Sequence, residues 1–118
     1  MNGQPNPIVT LSFAFALEII EFCDQLEEKR KYTLANQLLR SGTSIGANVK
    51  EAQAAESKKD FVHKMKIAYK EAEETIYWLK LCEASKSYPN PNRLLLQLET
   101  LLKILGKIIS TSKKTLAL

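Results

Sequence analysis

Residues 34–56 read LANQLLRSGTSIGANVKEAQAAE, and this stretch decides the fold. Ala35, Leu38, Gly42, Ile45, Val49 and Ala52 recur in alternating steps of three and four. That is the period of one helix face, and its sustained three-four alternation suits helices packing at a shallow angle. Two glycines, Gly42 and Gly46, sit one turn apart inside the run. Each costs a helix interior roughly 1 kcal/mol relative to Ala. Ser41, Thr43, Ser44 and Asn48 are also mediocre helix formers, because their side chains compete for the backbone. Something has to offset these losses. In one reading the glycines let a neighbouring helix approach closely, and the polar seam of Gln37, Ser41, Ser44, Asn48 and Glu51 hydrogen-bonds across to it. In the other, Ser41, Ser44, Asn48 and Glu51 line a surface for a partner.

The same period extends in both directions. Upstream, a helix is expected over about residues 7–31, with Asn6 as its cap and Pro7 in the first position. Its main stripe is Ile8, Leu11, Phe15, Ile19, Phe22 and Leu26, and a second stripe is Phe13, Leu17 and Ile20. The central helix spans about 34–56, with Thr33 as candidate cap. Ser57 and Asp60 form a capping-box signature that opens a third helix over about 58–86. Its seam reads Phe61, Met65, Ala68, Ala72, Ile76 and Leu79. Pro89 and Pro91 mark a loop, and Asn90-Pro91 repeats the Asn6-Pro7 start signal. A fourth helix follows over about 91–110, with Leu94, Leu98, Leu101, Leu105 and Ile108 on one stripe and Leu95, Leu102 and Ile109 on another. Beyond Ser110 fraying is expected. Four helices joined by short loops lie antiparallel to their neighbours, so the predicted fold is all-α, an up-down-up-down antiparallel four-helix bundle in a single domain, 1–118. The second stripes on the first and fourth helices, Phe13, Leu17, Ile20 and Leu95, Leu102, Ile109, exceed what one copy can cover. They are the candidate oligomer interface.

Composition bounds the rest. A chain of 118 residues with 45% hydrophobic and 25% charged residues buries enough surface to fold without a disulfide or metal. Cys23 and Cys82 lie far apart and belong to no C-x-x-C pair, so two reduced, buried thiols are expected, as in the cytosol. The apolar stretch after Pro7 carries Glu18 and Glu21, and residues 1–7 carry no base. Neither a secretory signal nor a membrane span is expected, and the predicted location is cytoplasmic. Charge is uneven. Residues 1–28 hold five acids and no base, whereas residues 29–70 hold ten bases and three acids. Residues 87–118 hold five bases and one acid.

Little here supports catalysis. A single histidine, His63, removes most acid–base and triad chemistry. Glu71 and Glu74 share a helix face, but a di-iron bundle needs two Glu-x-x-His motifs, and one His cannot supply them. Pairing of the two carboxylates with Arg40, Asn48 or a base of another subunit is the expected arrangement. Gly42-x-x-x-Gly46 lacks the Lys-Ser/Thr of a phosphate-binding loop. No catalytic residue, metal, cofactor or small-molecule substrate is predicted. Lys59, His63, Lys66 and Lys70 follow steps of four, three and four, which puts them on one face of the third helix. They form either an ordinary solvated face or a strip that tracks nucleic-acid phosphates. Lys103, Lys107, Lys113 and Lys114 add charge near the C-terminus. No aromatic stacking platform is expected within the strip.

The segment from Leu38 to Ala52, followed by Asp60-Phe61, Ala68, Glu74 and Trp78-Leu79, resembles the bacterial four-helix-bundle family of the 23S rRNA intervening-sequence proteins. The likeness spans about residues 11–110. Family members often carry Gly where this chain has Ala52, a change that favours helix. The resemblance implies a ring-like homopentamer with no catalytic residues. It also implies likeness to the accessory protein of diversity-generating retroelements, which works with a reverse transcriptase and RNA. It marks Arg40, Ser41, Ser44, Asn48, Glu51 and Glu74 as the family's polar seam. The resulting expectation is a non-enzymatic, homo-oligomeric accessory module that binds RNA or a ribonucleoprotein. The alternative is a structural or protein-binding scaffold with no nucleic-acid role.

Overall fold

The computed structural model describes residues 6–117; residues 1–5 and Leu118, part of the single 1–118 domain expected from sequence, lie outside the described residues. Four helices form: α1 (Pro7–Glu28), α2 (Tyr32–Ala52), α3 (Lys58–Ala84) and α4 (Asn92–Ala117). Consecutive helices pack along their lengths, and α1 meets α4 over a shorter stretch to close the square. The result is an up-down-up-down antiparallel four-helix bundle, 51 Å long and 27 by 20 Å across. Ile19, Leu26, Leu38, Ile45, Met65, Leu79, Leu98, Leu101 and Leu105 are fully buried along its axis. The α2 seam is buried as its spacing predicts, from Ala35 through Ala52.

The helix ends differ from the sequence reading for identifiable reasons. α1 stops at Glu28 because Arg30 turns left-handed, with φ 61°. The Lys31 N–H then reaches back to the Leu26 carbonyl at 2.8 Å, and the Arg30 N–H to Glu27 at 2.9 Å. That is a Schellman ending with Arg where Gly is usual. α2 begins at Tyr32, with Lys31 in the capping position and Thr33 already inside the helix. It ends at Ala52, since Gln53, Ala54 and Ala55 tighten into three-residue bonds and Ser57 must be extended to cap α3. Ser57 Oγ accepts from the Asp60 N–H at 3.0 Å, and Asp60 Oδ2 accepts from the Glu56 N–H at 3.2 Å. α3 ends at Ala84 rather than 86. Asn6 stands at the start of α1, but its side chain donates to Gln53 Oε1 at 3.1 Å and does not cap the helix. α4 runs on to Ala117, well past 110. Its second half packs on the first half of α3, and tertiary packing outweighs the poor helix propensity of Ser110, Thr111, Ser112 and Thr115.

Two seams also shift by a residue, and a third thins at its end. In α1 it is Ser12 that is buried, while Leu11 is exposed. In α3, Val62 and Thr75 take core places assigned to Phe61 and Ile76, which are half-buried beside the core. In α4, Ile108 is half-buried. The α1 change comes from a close approach of α1 and α2, and Thr75 is accommodated in the core by its hydrogen bond to Ser41. A Cβ on Gly46 would lie 3.2 Å from the Ser12 carbonyl oxygen, so only a small residue fits there on α1. A Cβ on Gly42 would lie 2.8 Å from Ile19 Cγ1. The small residues of α2 therefore set the α1–α2 distance, and Thr75 meets Ser41 on the opposite flank.

Candidate nucleic-acid interface

The polar seam lies between α2 and α3. Ser41 is fully buried, and its Oγ shares a 2.9 Å hydrogen bond with Thr75 Oγ1. Thr75 Oγ1 also donates to the Glu71 carbonyl at 2.8 Å. Arg40 Nη1 donates to Glu71 Oε1 at 3.3 Å, and Nη2 donates to Glu74. Trp78 Nε1 donates to the same Glu74 carboxylate at 3.0 Å. The hydrogen bond from Arg40, and then that from Trp78, hold the Glu74 carboxyl below the usual carboxylate range. The Glu74 bond likewise raises the Arg40 guanidinium above its ordinary value. Lys64 Nζ pairs with Glu51 Oε1 at 3.2 Å. Ser44 and Asn48, by contrast, satisfy themselves on their own helix. Ser44 Oγ donates to the Arg40 carbonyl at 2.6 Å, and Asn48 Nδ2 to the Ser44 carbonyl at 2.9 Å. The seam is thus a latch between two helices at Arg40, Ser41 and Glu51, and self-contained at Ser44 and Asn48. Arg40 takes the position between Glu71 and Glu74 that a cation would need. Among the described residues no group of three His, Cys, Asp or Glu side chains is placed to hold a metal.

Lys59, His63, Lys66 and Lys70 are all exposed on α3, and none of them has an ion-pair partner among the described residues. Because α4 runs antiparallel to α3, its lysine-rich second half lies beside the lysine-rich first half of α3. Residues 58–70 and 103–117 together hold nine lysines and one acid. That acid, Asp60, is half-buried and occupied by the α3 cap. Between the two helices lies a groove of about 540 Å³, lined by Lys66, Tyr69, Gly106, Ile109, Lys113 and Lys114 among others. Tyr69 corrects the expectation that no aromatic interleaves with the basic strip. Tyr69 stands one turn from Lys66 on α3 itself. What depends on α4 staying helical past residue 110, which the sequence reading did not foresee, is the arrival of Lys113 and Lys114 on the other wall of the groove.

Exposed apolar side chains are densest on α1, although Tyr77 and Leu81 on α3 are also exposed. Phe13, Leu17 and Ile20 are exposed by 66%, 51% and 42%. Phe13 borders an apolar groove between α1 and α2, with Val9, Ala16, Gly46 and Ala47. Leu95, Leu102 and Ile109, however, are half-buried against the core, so α4 contributes less surplus than its pattern suggests. The exposed leucines of α4 are Leu96 and Leu116, both outside its two stripes. The acidic half of α1 is partly engaged, because Glu18 accepts from Arg93 Nε at 2.7 Å and from Gln97. No described helix is long and apolar enough to cross a membrane.

These features define a class: a four-helix bundle with one basic flank, one apolar flank and a latched polar seam. The model of the 23S rRNA-intervening sequence protein family matches residues 5–110, and this chain belongs to that family. A crystal structure of a protein of unknown function from the S23 ribosomal protein family, from Bacteroides thetaiotaomicron, has the same fold. It is 37% identical, with a TM-score of 0.82, over 86% of this chain and 97% of the other. No curated protein matches the chain.

Proposed function

We propose that this chain is a non-enzymatic, self-associating module that binds RNA through the lysine face of α3 and α4. The observation that carries this reading is the balance of nine lysines against one acid on adjoining helix halves. Apart from Lys64, which pairs with Glu51, these lysines have no ion-pair partner among the described residues. Polyphosphate backbones supply counter-charge by releasing condensed ions. The family description names an rRNA, which agrees with that counter-charge. The exposed Phe13, Leu17 and Ile20 support burial against further copies. A ring of five is what the family resemblance implies. In any closed assembly each copy presents the basic face once, and modest contacts multiply by avidity. Two free, buried thiols favour the cytoplasm as the compartment.

The test is anisotropy of a structured RNA against protein at several salt concentrations. Affinity should fall steeply with salt. The triple variant Lys59→Glu, Lys66→Glu and Lys70→Glu should bind weakly, with a salt slope smaller by about three, one for each lost lysine. Equal binding by folded, oligomeric variant and wild type at low salt would remove this face as the site. If neither binds, the exposed α1 patch favours the second reading, a protein scaffold. Sedimentation equilibrium tests the self-association, and a stable monomer at micromolar concentration refutes it.

A further inference from the structure

Gly106 lacks the packing reason that explains the other helical glycines. Gly42 and Gly46 face atoms that a Cβ would meet at 2.8 Å and 3.2 Å. A Cβ on Gly106 would meet only Tyr69 Cε2, at 3.7 Å, which is ordinary van der Waals contact. Its backbone is regular α4 helix, with no left-handed φ to favour glycine. A glycine in the middle of a long helix therefore lowers stability without any gain in packing. What its bare backbone does is keep open the α3–α4 groove beside the half-buried Tyr69 ring. Lys66 borders that groove from α3, and Lys113 and Lys114 border it from α4. None of the three is ion-paired among the described residues.

We propose that this groove seats one unpaired nucleotide of a single-stranded RNA segment, its base against Tyr69 over Gly106 and its flanking phosphates on Lys66, Lys113 and Lys114. The proposal rests on the RNA-binding reading above and sharpens it. An aromatic ring with cations around it suits a planar, anionic ligand. A duplex would keep its bases stacked inside and leave the Tyr69 ring unused. A base on an aromatic ring also tolerates any sequence, so the groove would select for single strands and not for a base order.

The experiment uses the full chain at fixed protein concentration and low salt. The probes are a labelled oligouridylate of about ten nucleotides, within the usual single-strand site range of roughly 4–16, an abasic ribose-phosphate chain of equal length, and a blunt RNA duplex. The variants are Gly106→Leu, which plugs the groove, and Tyr69→Leu, which removes the ring. Leu is the better helix former, so Gly106→Leu should raise the melting midpoint by roughly 2–5 °C while weakening oligouridylate binding about fivefold or more. Duplex binding should stay within about twofold, because the outer lysines remain. Tyr69→Leu should lose the preference of wild type for oligouridylate over the abasic chain. If wild type binds duplex and abasic chain as well as oligouridylate, or if Gly106→Leu binds oligouridylate unchanged, the groove is not a nucleotide seat although the basic face stands. If wild type binds none of the three, the groove and the RNA reading fall together.

Discussion

Replacing Gly42 with Ala puts a number on the α1–α2 contact. An ideal Cβ there would sit 2.8 Å from Ile19 Cγ1, 2.9 Å from Cγ2 and 3.1 Å from Cδ1. Carbon pairs are comfortable at about 3.5–4.0 Å, so the shortfall is roughly half an ångström or more on three atoms at once. Ile19 is fully buried and β-branched, so it cannot swing aside cheaply. Either it leaves its rotamer or the helices part, and overpacking of this kind costs about 1–3 kcal/mol. Against that, Ala gains about 1 kcal/mol of helix propensity over Gly. The net effect of Gly42→Ala is a destabilisation of up to about 2 kcal/mol. Gly106→Ala carries the same propensity gain with a Cβ at 3.7 Å from its nearest neighbour, so it should stabilise by about 1 kcal/mol. One substitution at two glycines should thus have opposite signs. Moreover, in an Ile19→Ala background the obstacle is gone, and Gly42→Ala should become stabilising. The assay is urea unfolding followed by far-UV circular dichroism, at one protein concentration because assembly shifts apparent stability. If Gly42→Ala stabilises as much as Gly106→Ala, or if removing Ile19 leaves its sign unchanged, close approach is not why glycine stands there.

Three further outcomes are expected. Arg30→Gly should stabilise by about 0.5–1 kcal/mol, since a left-handed Arg costs about 1–2 kcal/mol and the freer unfolded chain takes part of that back; a lower melting midpoint would show that the Arg30 side chain holds something the backbone argument ignores. The Glu74 carboxyl, depressed below its ordinary 4.5, stabilises the fold above that value and loses its contribution as pH falls through the folded-state value. The stability gap between wild type and Glu74→Gln should therefore be present at neutral pH and shrink below about pH 4.5, and a gap unchanged by acid contradicts the latch. Burial pushes the Cys23 thiol up to about 12, with Glu27 and Asp24 adding to it, and burial alone pushes Cys82 up to about 11. Both should resist an aromatic disulfide reagent in the native protein and react at once in urea, whereas rapid native labelling would mean that this part of the bundle opens readily.

The fold was legible in the sequence because the α2 and α4 seams repeat without interruption, and period alone specifies a helix face. Where the reading slipped by one residue, a small or polar side chain held a core position. Ser12 is buried because Gly46 brings the helices too close for Leu, and Thr75 is buried because Ser41 completes its hydrogen bonding. A pattern that counts only apolar residues cannot see either. The length of α4 was hidden in the same way. Ser110, Thr111 and Ser112 discourage helix locally, and only packing against α3 makes the segment helical. That miss had a consequence for the candidate site, since Lys113 and Lys114 face Lys66 and Tyr69 only on a continued helix. Within the seam, Arg40 is one of three expected partners for Glu71 and Glu74, beside Asn48 and a base of another subunit, and it bonds both carboxylates. The self-contained bonds of Ser44 and Asn48 were not legible, because a polar residue in a helix chooses between its own carbonyls and a neighbour on geometry alone.

The order of helices around the square connects the two outer surfaces. α1 and α2 form one edge and α3 and α4 form the opposite one, since backbones meet only between neighbours in the sequence and between α1 and α4. The antiparallel run brings the start of α1, the end of α2, the start of α3 and the end of α4 to the same half of the bundle. Phe13 and its apolar groove therefore lie at the same level as Lys66, Tyr69 and Gly106, but on the other side of the core. Self-association through the α1–α2 edge would cover the apolar groove and leave the α3–α4 edge facing outward. Association through the α3–α4 edge would have to bury Lys66, Lys113 and Lys114, each with a large desolvation cost, whereas the α1–α2 groove is lined by one lysine, Lys50. Charge and apolar area thus argue for the same orientation. Copies should meet through the edge that Gly42 and Gly46 draw together, with the lysine face of each copy left free for a polyanion.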